Sequence, residues 1–299
     1  EANDDYARDL DAARSAGAVV SNNSWGLASG INVTEAKASI SSNGWSNIEG
    51  LSEVMEGGRT SAETAAAQLW VDALDNFQAS GVIVWSAGND NTESDVDAIA
   101  GLPEFFPELA EAWIVVNWSD FTGSSLSGAS ESDFTLHGNK CGSAKEYCLT
   151  ADGTELNGGG WIVGSTHHYG TNQNGSSYSA PMVAGGVALM AQAFPNHTPE
   201  QLTDRILASA NNAWFTPEGN TTFTSHGNSI KHGYHSDWGH GVPDFYAALS
   251  PITTNANPAS FIMSSSLSAG YKNQSQRFPV SSSSLQLSSA LSRFKTYFQ

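Results

Sequence analysis

The chain has 299 residues, 39% hydrophobic and 10% aromatic, enough apolar material to bury the core of one sizeable α/β domain, so disorder is not the default. Lys and Arg number 12 against 30 Asp and Glu, a formal net charge of −18 with a pI near 4.6, which excludes a phosphate-neutralising basic face and with it a nucleic-acid partner. No apolar run reaches the length of a membrane span and no leader-type segment is recognised, so a soluble chain is expected; the acidic surface suits secretion into salty water and equally suits plain solubility.

Residues 4–17 set Tyr6, Ala7, Leu10 and Ala13 at helical spacing and finish on Gly17, which predicts a helix with a glycine stop. Residues 18–24, A-V-V-S-N-N-S, predict a strand that runs into a loop at Trp25 and Gly26, the order found in parallel-sheet proteins. Residues 27–59 are rich in Gly, Ser and Asn around an isolated Trp45 and read as a long surface insertion. Thr60 with Glu63 three residues later forms a capping box, and the helix formers behind it predict a helix to Ser80. Gly81 stops that helix, and the unbroken apolar run at 82–85 fits a strand buried on both faces. Two further strands are predicted at 112–117 and 147–151, which makes a mainly parallel sheet the expected architecture. Cys141 and Cys148 lie close together around turn-compatible Gly142 and Ser143, so they form either a short disulfide loop or a pair of free thiols; their spacing matches no zinc pattern.

Polar residues 170–175 lead into a small-residue and apolar run at 184–194, predicting a buried helix ended by Pro195. Ser177 thus falls at a helix N-terminus. There, unpaired backbone N–H groups and the positive end of the helix dipole favour the negative charge that a serine creates when it attacks a carbonyl. An ordinary capping serine on a core helix fits the same position. Thr198, Pro199, Glu200 and Gln201 open a second helix, with Asn211 and Asn212 as its stop. Residues 215–238 have the polar and aromatic make-up of a hairpin, and 242–249 form a short closing helix. From 251 onward Ser, Asn and Gln dominate, dividing the chain into a domain at 1–250 and a Ser-rich linker or extension at 251–299.

Four stretches resemble the subtilisin-like serine proteases, in the family's order. Residues 175–185, G-S-S-Y-S-A-P-M-V-A-G, resemble the serine motif G-T-S-M-A-x-P-H-V-A-G; Gly175, Ser177, Pro181, Val183, Ala184 and Gly185 match, while Ser176, Tyr178, Ser179 and Met182 depart. Ser86, Ala87, Gly88 and Asn89 resemble the A-A-G-N segment, whose asparagine completes the oxyanion hole; read alone, Asn89 is an ordinary strand-end turn residue. Ser24, Trp25 and Gly26 resemble the S-L-G strand end that pairs with an extended substrate. Residues 239–244, G-H-G-V-P-D, resemble the G-x-G-x-x-D signature of the closing helix.

The resemblance implies a three-layer α/β subtilisin-like fold with a mainly parallel sheet. It also implies peptide-bond hydrolysis through an acyl-enzyme, with Ser177 as nucleophile and with Asn89 and the Ser177 N–H as oxyanion donors. Ser24, Trp25 and Gly26 form one substrate wall and Ser86, Ala87 and Gly88 the other, for a peptide or protein substrate. The family's D-T-G and H-G-T-H motifs, which precede all these segments, have no counterpart here. The expectation is therefore a sheet incomplete on its N-terminal side, and an inactive portion of a secreted or cell-surface bacterial protease of the autotransporter kind. The alternative is a non-catalytic peptide-binding module. His167 and His168, in a polar loop ahead of Ser177, are the remaining candidates for a base. No cofactor is expected; calcium, common in the family, would find carboxylates at 90–97, which read as a solvated loop. Asn89 speaks against the serine-carboxyl relatives, which place an aspartate at the oxyanion site.

Overall fold

The structure, a computed structural model, describes residues 2–157, 160–163 and 166–250; the predicted extension at 251–299 lies outside them. Helix α1 (Ala2–Ser15) passes through Gly17, at φ +82°, into strand β1 (Val20–Asn23). Residues 27–59 are not an irregular insertion. They fold into α2 (Val33–Asn43) and α3 (Asn47–Glu56), each opened by a capping box, Asn32 with Glu35 and Ser46 with Glu49, and each closed by a left-handed glycine, Gly44 and Gly57. Val33, Ala36 and Leu51 turn inward to the core from these helices.

Helix α4 (Ser61–Gln78) carries the predicted Thr60 and Glu63 box and leads to β2 (Val82–Ser86). Then come β3 (Trp113–Phe121), the short β4 (Phe134–Leu136) and β5 (Cys148–Asp152). β1, β2, β3 and β5 pair in parallel, with Val20 opposite Val82, Ile83 opposite Trp113 and Val115 opposite Cys148. β4 pairs antiparallel with the end of β3 that extends past β2, Ser119 facing Leu136. All five residues of β2 are buried. Because successive strand residues point to opposite faces, both faces of the sheet are covered, which makes the architecture three-layered. β1 is an edge strand, and its residues are partly exposed.

Two short hairpins follow: β6 (Gly160–Val163) with β7 (Thr166–Tyr169), then, after α5 (Ser176–Ala193) and α6 (Pro199–Ala208), β8 (Gly219–Phe223) with β9 (Ile230–Tyr234). α7 (Phe245–Leu249) closes the described chain, with the Asp244 carboxylate accepting from Ala247 N at 2.8 Å. α5 packs across β1, β2, β3 and β5, whereas α4 gathers α1 and α3 around β2. A run of stacked rings crosses the α4 side: Tyr6 on Trp25 at 5.1 Å, Trp25 on Trp85 at 4.9 Å and Trp85 on Trp113 at 5.4 Å between centroids. Cys141 and Cys148 are joined in a disulfide, both buried, which resolves the alternative left open by their spacing.

Candidate active site

The first turn of α5 is fastened to the C-terminal end of β5. Gly175, the N-cap, holds φ +142°, a value costly for any residue with a Cβ, and its N–H donates to Gly153 O at 2.9 Å. A Cβ on Gly153 would lie 2.5 Å from Gly175 O and 2.5 Å from Ser179 Oγ, so only glycine permits this approach. Two departures from the family motif are used here. Ser179 is buried and donates to Ala151 O at 3.1 Å, and Tyr178 donates its hydroxyl to Gln173 Oε1 at 2.9 Å. The helix starts at Ser176, in agreement with the expected place of Ser177 at its N-terminus, and Pro181 lies inside it. Proline has no N–H to give to the carbonyl four residues back, which is that of Ser177. That carbonyl accepts instead from Ser24 Oγ at 3.0 Å, and Ser177 Oγ donates to Ser24 O at 3.3 Å. The reciprocal pair joins the end of β1 to the serine turn.

Asn89 stands beside that turn, just beyond β2. Its Oδ1 accepts from both the N–H and the hydroxyl of Ser176, each at 2.8 Å. Because an N–H must meet an oxygen, the amide orientation is fixed and Nδ2 is directed away from Ser176. Ser176 is buried while Asn89 is exposed. A second asparagine braces the same corner. Asn139, buried, accepts from Asp90 N at 3.0 Å and donates to Asp95 O at 3.0 Å, and its side chain fills the space a Cβ on Gly88 would need. No motif marks Asn139, and sequence reading missed it.

The two expected substrate walls are joined at their base by Asp97. Its N–H donates to Ala87 O at 2.9 Å, and its carboxylate accepts from Leu27 N at 3.2 Å and from Ile99 N at 2.9 Å. A Cβ on Gly26 would lie 2.8 Å from Asp97 Oδ2, so glycine is required there by packing as well. Burial raises the Asp97 pKa to about 6 against the pull of those two backbone donors. On the outer wall, the Trp85 indole donates to Trp25 O at 2.8 Å, which locks the strand end carrying Ser24 and Gly26.

Residues 90–97 thus differ from the solvated loop expected of them. Asp95 accepts from Thr34 Oγ1 at 2.7 Å and from the Ser143 N–H and hydroxyl at 2.8 Å each, and the Asn32 amide donates to Glu93 at 2.5 Å. These carboxylates hold α2 and the disulfide loop to the Asn89 corner. Both oxygens of Asp95 and of Asp97 accept from internal donors, and no group of three or more His, Cys, Asp or Glu among the described residues is placed to hold a metal.

The hydroxyl of Ser177 meets a carbonyl, which cannot take its proton. No histidine among the described residues is hydrogen-bonded to it. His232 of β9 and His240 face each other across 2.9 Å, His197 and His226 meet as tilted rings at 5.2 Å, and His137 lies tilted against Trp118 at 5.0 Å. His167 and His168 belong to strand β7 and not to a polar loop; their side chains lie outside what the structure describes.

Among curated relatives, an extracellular serine protease of Serratia marcescens is 28% identical over 147 residues, and serotype-specific antigen 1 of Mannheimia haemolytica is 30% identical over 135 residues. Each match covers 43% of this chain and 13% of the relative, so the chain spans only a small part of the curated proteins it matches. Similar solved structures include the patellamide maturation protease PatA, with 17% identity, a TM-score of 0.46 and coverage of 83% of this chain and 67% of that one. MycP1 from Mycobacterium smegmatis is another, with 21% identity, a TM-score of 0.43 and coverage of 86% and 57%. The family model of the subtilases, Peptidase S8, matches residues 2–235, more than three quarters of the sequence, and the chain belongs to the subtilase family.

Proposed function

We propose that this chain carries the nucleophile and oxyanion half of a secreted serine endopeptidase. Ser177 Oγ attacks the scissile carbonyl, and the tetrahedral oxyanion is held by the Ser177 N–H at the positive end of α5 and by Asn89 Nδ2. The observation that carries this reading is the pair of bonds from Ser176 to Asn89 Oδ1, which turns the amide donor outward beside the serine. Ser24, Trp25 and Gly26 on one side and Ser86, Ala87 and Gly88 on the other receive an extended peptide by backbone pairing. The extracellular relative supports secretion of the parent.

Hydrolysis also needs a base within hydrogen-bond reach of Ser177 Oγ, and an unactivated hydroxyl is a poor nucleophile. The isolated 299-residue chain is therefore expected to be inert to peptides and to serine-directed phosphonates, whereas the parent protease is expected to lose turnover on Ser177→Ala. Normal proteolysis by the parent carrying that substitution defeats the assignment of Ser177. Phosphonate labelling of the isolated chain contradicts its inertness and makes His167 or His168 the base.

A further inference from the structure

A cleft of about 370 Å³ between α6, the β8 strand and the segments at Glu104 and Glu146 is not used by the proposed proteolysis. Four carboxylates line it: Glu104, Glu146, Glu200 and Asp204. Lys37 offsets Glu104 at 2.6 Å, Glu146 receives a bond from the Thr221 hydroxyl at 3.4 Å, and Asp204 one from Ser225 N at 3.3 Å. Glu200 has no hydrogen-bond or ion-pair partner among the described residues. Thr203, one turn along α6 from Glu200, also lines the cleft; it is only 2% exposed and its hydroxyl has no hydrogen-bond partner among the described residues. A buried hydroxyl without a partner costs free energy that a donor or acceptor entering the cleft would recover.

The charge around the cleft is negative enough to act on its own members. The Tyr147 hydroxyl is pushed well up by burial and then by Glu104, Asp95 and Glu146, and Glu200 is raised by burial and then by Asp204 and Glu111. The carboxylates are too dispersed to form a metal site among the described residues. A ligand with several separated cationic groups fits them better than a single ion.

Such a ligand is present in the same polypeptide. Residues 251–299 contain no Asp or Glu and four cations, Lys272, Arg277, Arg293 and Lys295; all 30 acidic residues and the other 8 of the 12 Lys and Arg belong to residues 1–250. This segment leaves the domain at the end of α7, which is tied to α6, one of the helices that line the cleft. Arg205, the neighbour of Asp204 on α6, donates to the carbonyls of Ala248 and Ser250 where α7 ends. From Ser250 to Lys272 is 22 residues; a random coil of that length would span about 26 Å root-mean-square and would give a tethered ligand an effective concentration on the order of millimolar. We propose that the basic segment carrying Lys272, Arg277, Arg293 and Lys295 docks in the acidic cleft formed by Glu104, Glu146, Glu200 and Asp204.

Zero-length carbodiimide cross-linking of the full chain at low ionic strength, read by peptide mass spectrometry, tests the contact. Lys272 and Lys295 are expected to couple to the four cleft carboxylates and to lose those couplings in molar salt. The E200Q/D204N variant should lower coupling to the remaining Glu104 and Glu146 by about fivefold. Should that variant misfold, K272Q with R277Q and R293Q leaves the domain untouched and should depress the Lys295 couplings similarly. Coupling spread over open carboxylates such as Asp5, Asp9 and Asp72 in proportion to exposure overturns the proposal. So does coupling found only between heavy and light copies in an isotope-mixed sample, which would put the segment on a second chain. None of these readouts depends on proteolytic activity.

Discussion

Asp97→Asn isolates the carboxylate that joins the two substrate walls. In the folded chain its pKa is about 6, against 3.8 for an unperturbed aspartate, because burial disfavours the anion. Between those values the native state holds a proton that the unfolded state releases. The stability this group contributes is therefore complete below pH 3.8 and is lost as pH rises through 6. A difference of about two pH units, at 1.36 kcal/mol for each, amounts to about 3 kcal/mol. Asparagine does not titrate, but it keeps only one of the two acceptors and so loses the bond from Leu27 or Ile99, which costs about 1 kcal/mol at every pH. The variant should be the less stable protein at pH 3.5 and should gain about 3 kcal/mol relative to the wild type by pH 7. Urea unfolding followed by tryptophan fluorescence at pH 3.5, 5 and 7 measures the difference directly. A difference that stays constant within about 0.5 kcal/mol would mean that the folded-state pKa equals the unfolded one, the two backbone donors offsetting burial, and the burial argument would fail.

Replacing Cys141 and Cys148 together by alanine opens a loop closed across a separation of 7 residues, a chain-entropy loss of about 2.5 kcal/mol, and should lower Tm by roughly 5–10 °C in calorimetry; an unchanged Tm removes the disulfide from the list of stabilising features. Ser176→Ala keeps the N–H bond to Asn89 but deletes the hydroxyl bond, so in the active parent kcat should fall by about tenfold with KM nearly unchanged. An equal change in KM instead would place Ser176 in substrate binding. Burial depresses His232 to about 4 and His240 to about 3, so the stability they contribute in neutral form is present above pH 6.5 and is lost as pH falls through those values. His232→Gln should move the acid-unfolding midpoint of the chain downward, and a midpoint that moves upward contradicts the neutral, buried state.

The elements that sequence reading recovered are those with one dominant local signal. The Thr60 and Glu63 box, the unbroken apolar run of β2 and the Thr198-Pro199 start of α6 each stand at the observed boundary to within a residue or two. Helices α2 and α3 carry boxes of the same kind, Asn32 with Glu35 and Ser46 with Glu49, but the surrounding Gly, Ser and Asn pulled the composition toward loop. Weighing the boxes ahead of composition would have found both. The start of α5 next to Ser177 was legible, but not how the helix accommodates Pro181, whose missing N–H leaves the Ser177 carbonyl to the Ser24 hydroxyl. Asp95, Asp97 and Asn139 were illegible for a different reason. A carboxylate in a polar stretch looks the same whether its partners are water or the Thr34 hydroxyl of α2 and the Ser143 N–H and hydroxyl of the disulfide loop, and only tertiary structure separates the two.

Those same contacts bear on what activation of Ser177 requires. The turn is held by Gly153 just past β5, by the bond from Ser179 to Ala151 of β5, by Ser24 just past β1 and by the Asn89 corner, none of which is a base. On the proposed assignment, the oxyanion donors are consequently preorganised independently of proton transfer. Ser177 Oγ spends its proton on Ser24 O, so an incoming imidazole must first draw the hydroxyl out of that bond. The bond is 3.3 Å long and joins neutral groups, worth about 1 kcal/mol, roughly a factor of five in the population of the released rotamer. Base capture typically contributes a hundredfold or more, so the hydroxyl's resting bond is a small toll against it. On the proposed assignment, what Ser177 lacks among the described residues is a proton acceptor, because the position of its oxygen, the proposed oxyanion donors and the backbone on either side are held by contacts that an arriving base leaves in place.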